Sequence, residues 1–137
     1  MTVLILPLEH AWFLWYSSLS CLLTIGGSII TGHYDVTVVS SSVLSTSLLY
    51  WSYPTYGFRR TLDMTVVQAG VWYMIWQAYG TPYALLYYGC IGLCMASYAG
   101  SLLLFRRGYI WPSTYLHSYV HIGGNIANAV YMMSVTP

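Results

Sequence analysis

His117 and His121 stand four residues apart in a run with no charged residue, STYLHSYVHIGGNIANAVYMMSV, from Ser113 to Val135. Residues at that spacing share one face of a helix. Two imidazoles there can take a metal ion, a haem iron or a proton partner. Asp63 opens another apolar run just after Arg59 and Arg60. A helix N-terminus favours an anion, and either arginine can pair with it. Ser47 and Trp51 lie one turn apart upstream of it. Ser47, Asp63, His117 and His121 are predicted to form one polar cluster, with Asp63 beside one of the histidines. With a third ligand, such a cluster could hold zinc and lower the pKa of a bound water. Without one, it is a set of buried polar contacts. Cys90 and Cys94 are also four apart, but they read as buried thiols, as does Cys21. His33 falls in a turn and His10 in a short lead-in, and neither is expected to be a ligand.

The elements that must position these residues follow from composition. The chain has 137 residues, 58% hydrophobic and only 5% charged. Soluble domains carry about 25% charged residues. A single integral membrane domain over residues 1–137 is therefore expected. Net charge is +1 and lysine is absent, so there is no basic field for nucleic acid. The glycine pairs Gly26-Gly27 and Gly123-Gly124 sit in apolar runs, without the setting of a phosphate loop. Residues 1–10 show neither the basic segment of a signal peptide nor the pattern of a transit peptide.

Five transmembrane helices are predicted, at about 11–31, 36–51, 62–79, 82–105 and 113–135, giving an all-α, polytopic bundle. The run from Met64 to Phe105 is 42 uncharged residues, enough for two spans around Gly80-Thr-Pro82. The interface arginines Arg59, Arg60, Arg106 and Arg107 then fall on one side. By the positive-inside rule that side, with the N-terminus, is cytoplasmic or matrix-facing. Fifteen tyrosines are more than two interfacial belts need. Tyr73, Tyr87, Tyr88, Tyr98 and Tyr119 are predicted to sit deep, where a hydroxyl requires a partner.

Ser47-Leu-Leu-Tyr50-Trp51, Arg59-Arg60-Thr-Leu-Asp63, Tyr79-Gly-Thr-Pro82 and His117-Ser-Tyr-Val-His121 together resemble the CREST superfamily. That group includes the alkaline ceramidases, the progestin and adiponectin receptors and the haemolysin-III-like proteins. The resemblance implies that Ser47 and Asp63 match the family serine and aspartate, and His117 and His121 its paired histidines. It also implies a zinc-dependent lipid amidase or hydrolase, with His117 and His121 as ligands and Asp63 and Ser47 in the catalytic group. The chain departs from the family pattern twice. Trp51 stands where the first histidine belongs, and indole nitrogen is a donor that cannot ligate zinc. The family has seven helices, and five are predicted here.

Because that triad is broken, the expected function is that of a non-catalytic membrane subunit of a large complex. A mitochondrial inner-membrane respiratory or ATP synthase complex is the specific expectation. Its partners would be other integral subunits and bilayer lipids, with no cofactor. The alternatives are the zinc hydrolase and a haem-binding anchor subunit. The anchor rests on Gly57-Phe-Arg59-Arg60 and Asp63, similar to the glycine–arginine–aspartate run of succinate dehydrogenase anchors.

Overall fold

Pro7 has no amide hydrogen to lose, and it opens the first helix, α1 (Leu8–Ser18). The computed structural model describes residues 4–136. α1 stops because the hydroxyls of Ser17 and Ser18 both donate to the Leu14 carbonyl, each at 2.9 Å. Such back-bonding weakens the helical ladder. The chain tightens into i→i+3 bonds, Leu19 to Tyr16 and Ser20 to Ser17, and then resumes as α2 (Cys21–Thr31). Gly32, at φ 76°, ends α2 in the left-handed conformation that glycine adopts without a Cβ clash. The serine-rich α3 (Tyr34–Trp51) holds because its outer hydroxyls bond back along the helix, Ser42 to the Val38 carbonyl and Ser45 to that of Ser41. α4 (Phe58–Ala78) follows a loop through Pro54 and Gly57, and α5 (Ala84–Arg106) follows the Gly80 turn. Gly108, at φ 82°, turns the chain into α6 (Ile110–Val135). Pro112 lies in the first turn of α6, where a missing amide hydrogen costs nothing. One isolated bridge joins Leu4 to Thr55.

Counting kinked α1–α2 as one, five rods form an open ring. α5 packs most extensively on α6, α6 on α1–α2, α1–α2 on α3, and α3 on α4. The ring does not close, since α4 and α5 barely touch. The core is split between its two ends. At one end Leu6, Ala11, Leu14, Tyr50 and Trp51 pack with Phe105 and Ile110. At the other, Val36, Met74, Ala78, Tyr87, Ala127 and Tyr131 pack together. Arg60 and Arg106 therefore belong to the first end, which we call the arginine end.

The five-span membrane bundle predicted above is corrected by these helices. Among the described residues only two stretches, Leu8–Thr31 and Ala84–Arg106, are long and apolar enough to cross a membrane. α3, α4 and α6 fall short because they carry the polar side chains that join the rods: serines and Asp35 on α3, Asp63 and two glutamines on α4, histidines and asparagines on α6. The long apolar runs reflect a bundle with buried polar seams rather than five independent spans. The first of the five predicted spans is itself broken at Leu19–Ser20.

Candidate functional site: the interior of the open ring

Two polar seams place the candidate residues. The first joins α3 to α4. Asp63 is buried, and its Oδ1 accepts hydrogen bonds from Ser47 Oγ at 2.8 Å and Thr46 Oγ1 at 2.9 Å. The tight loop between the helices makes them neighbours, so Ser47 and Asp63 meet as the sequence suggests. The pairing of Asp63 with Arg59 or Arg60 that the sequence allows does not form. Asp63 points inward to α3, Arg59 is exposed, and Arg60 lies 5.7 Å from the centroid of the Tyr56 ring.

The second seam joins α6 to α1–α2 over their whole length. His10 Nδ1 lies 3.1 Å from Thr114 Oγ1, and His121 Nδ1 lies 2.7 Å from Ser17 Oγ. Thr24 donates to Asn125 Oδ1 at 2.7 Å, while Asn125 Nδ2 donates to Ser20 Oγ at 2.8 Å. His33 Nε2 meets Thr136 Oγ1 at 3.1 Å at the far end. Polar bonds of this kind join helices where no water competes. His10 is a buried member of the seam, which sequence reasoning missed. The signal was available as polar residues at Thr114, His117, His121, Asn125 and Asn128, spaced three or four apart on one face of α6.

The rings between the seams stack edge to face. His117 lies at 5.1 Å from Trp51, 5.6 Å from Tyr98 and 5.3 Å from His121 between ring centroids. Asp63 makes no hydrogen bond with either histidine among the described residues. All of them nevertheless line one cavity of about 510 Å³ inside the ring. Two of its lining residues, Trp51 and Ser40, each bury a polar atom that has no partner among the described residues, Nε1 and Oγ. Of the tyrosines expected to be deep, Tyr87 is buried and Tyr88 donates to the Ile75 carbonyl. Tyr98 lines the cavity, whereas Tyr73 and Tyr119 are exposed.

The zinc that the family resemblance implies does not fit these residues. Among the described residues, no three histidine, cysteine, aspartate or glutamate side chains are grouped to hold a metal ion. Trp51 fills the third position with a donor, and one nitrogen of His121 is engaged by serines of α1. Cys94 packs against Gly123 and the Val120 carbonyl, apart from any ligand set. No family model matches the chain, and no curated protein or solved structure matches it.

Proposed function

We propose that this chain is a non-catalytic membrane subunit that works within a larger assembly. The observation that carries this reading is the outer face of α5. That helix is one of the two stretches among the described residues that are long and apolar enough to cross a membrane, and little of it is buried. Gly89, Gly92, Ala96 and Ala99 are all exposed on it, at intervals of three or four. A Cβ added at Gly89 or Gly92 would meet nothing within 4 Å. Such a face gives lipid little to pack against and gives a neighbouring helix close approach. The exposed aromatics support membrane insertion. Trp12, Tyr16, Tyr56, Phe58 and Tyr109 gather near the arginine end, and Trp76, Tyr79 and Tyr83 near the opposite turn.

The test is native separation of the endogenous protein after mild extraction, with identification of its companions. A complex of the mitochondrial inner membrane is the assembly to test first. Gly92→Ile should leave the helical fold unchanged and release the chain from its companions. A protein that migrates alone, or a Gly92→Ile variant that stays assembled, refutes the proposal.

A further inference from the structure

We propose that the interior of the ring is a water-filled vestibule, open between α4 and α5 and positively charged at its mouth, that admits small hydrophilic anions. It rests on the membrane placement read above, and not on the role of the α5 face.

The opening follows from which lining residues are exposed. They are Tyr56, Met64, Gln68, Met95, Leu102 and Arg106, and all belong to α4, α5 or the loop before α4. The residues that α1–α2, α3 and α6 give to the wall are buried or half-buried. The cavity therefore opens where the ring fails to close. In a bilayer, Tyr56 and Arg106 bring the outer end of this mouth to the headgroup level, where water is present.

The wall that α6 supplies is polar along its length. His117, His121, Gly124 and Asn128 line the cavity at spacings of four, three and four, which is one face of a helix. At 1.5 Å per residue that stripe runs for about 16 Å. The His117 ring, the Asn128 amide and Asp63 Oδ2 make no hydrogen bond among the described residues, and all three residues line the cavity. The unpaired polar atoms that are fully enclosed among the described residues are Trp51 Nε1 and Ser40 Oγ. Those of His117, Asn128 and Asp63 are not enclosed in this way, so they open onto the cavity. Left against hydrocarbon, such atoms are costly. Water can donate to them and accept from them, whereas cavities that stay empty are apolar. At about 30 Å³ per water, a cavity of about 510 Å³ has room for roughly fifteen.

Selection at the mouth follows from its charges. Arg60 and Arg106 line the cavity, and neither makes an ion pair among the described residues. Arg59 and Arg107 stand beside them in the chain. Against these, the same end holds Glu9, 3.4 Å from His10 Nε2, and the buried Asp63. Asp63 is a single charge held to the α3 side by Ser47 and Thr46. An excess of guanidinium groups at a narrow mouth concentrates anions there and repels cations.

The experiment measures thiol modification of the full chain in nanodiscs, with Cys21, Cys90 and Cys94 replaced by alanine. One cysteine is then introduced as Gly124→Cys, where an added Cβ meets nothing within 4 Å, or as Leu23→Cys, on an outward residue of the first apolar stretch. The probes are membrane-impermeant methanethiosulfonates, one bearing a sulfonate and one a trimethylammonium, each rate taken relative to a free thiol. With the sulfonate probe, Gly124→Cys should react at least tenfold faster than Leu23→Cys. At Gly124→Cys the sulfonate rate should exceed the trimethylammonium rate at least fivefold, and adding Arg60→Gln and Arg106→Gln should bring that ratio down to about one. Slow reaction at both positions overturns the vestibule. So does a trimethylammonium rate equal to the sulfonate rate, or a ratio that the arginine variants leave unchanged. Reaction at Leu23→Cys as fast as a free thiol overturns the membrane placement, and the vestibule with it. Should Gly124→Cys fail to fold, Asn128→Cys, further along the same stripe, is judged by the same outcomes.

Discussion

Asp63 and Asn125 carry the polar seams in different ways, and substitution should separate them. Asp63 acts as an acceptor for two α3 hydroxyls. Asp63→Asn keeps an acceptor oxygen and should leave thermal stability nearly unchanged. Asp63→Leu leaves buried hydroxyls without their acceptor and should cost about 1–3 kcal/mol. Equal melting temperatures for the two variants would refute the acceptor role. Asn125 links Thr24, Ser20 and the His121 carbonyl, whereas the side chain of Asn128, one turn later, makes no hydrogen bond among the described residues. Asn125→Leu should destabilise the bundle by about 1–2 kcal/mol, the scale of a few interhelical bonds. Asn128→Leu should cost clearly less, and a reversed order in denaturant titration would contradict the seam. The Ser47–Asp63 contact was legible from the sequence, because a short loop forces α3 and α4 together. The Ser17–His121 contact was not, since the two residues are 104 apart and no local rule pairs them.

The α5–α6 pair is the most extensive contact between elements, and Gly123 and Gly100 stand at its close approaches, a Cβ at Gly100 lying 3.1 Å from Leu116 Cδ1. A Cβ at Gly123 would stand 2.6 Å from Cys94 Sγ, well inside contact distance. Gly123→Ala should therefore force the helices apart at a cost of about 1–3 kcal/mol. Adding Cys94→Ala removes the sulfur and should recover most of that loss. A double variant no more stable than Gly123→Ala, measured by thermal unfolding, would show that the contact does not set the spacing. Gly70 plays the same part between α4 and α3, where its Cβ would lie 2.9 Å from Val39 Cγ1. Small residues on α6 and α5 were visible as stripes in the sequence. Which of them face a neighbour was not: Gly123 is packed, while Gly89 and Gly92 are open.

At the scale of the whole molecule, the ring has two ends of different character. The arginine pairs lie at the end where Tyr50, Trp51 and Phe105 pack together, and the Gly80 turn lies at the other. Spin labels at Ser52→Cys and Gly108→Cys should lie closer to each other than either lies to a label at Thr81→Cys. A Thr81 label nearer to Ser52 than Gly108 is would contradict this arrangement. The open side between α4 and α5 is what gives the molecule an interior.

The sequence by itself determined that the chain is helical and apolar and where its glycine and proline turns fall, though not the break at Leu19–Ser20, because glycine, proline and hydrophobic runs act locally. It also marked Ser47, Asp63, His117 and His121 as the residues to follow. It overstated the number of membrane-crossing helices, since hydropathy does not reveal which polar residues find partners on another rod. Only the tertiary structure decided that Asp63 is satisfied by hydroxyls rather than arginines and that His121 is tied to α1. It alone decided that Trp51 is buried with its indole N–H unpaired among the described residues. Each of these depends on how rods distant in sequence rotate against one another, and that rotation is set by packing over the whole bundle.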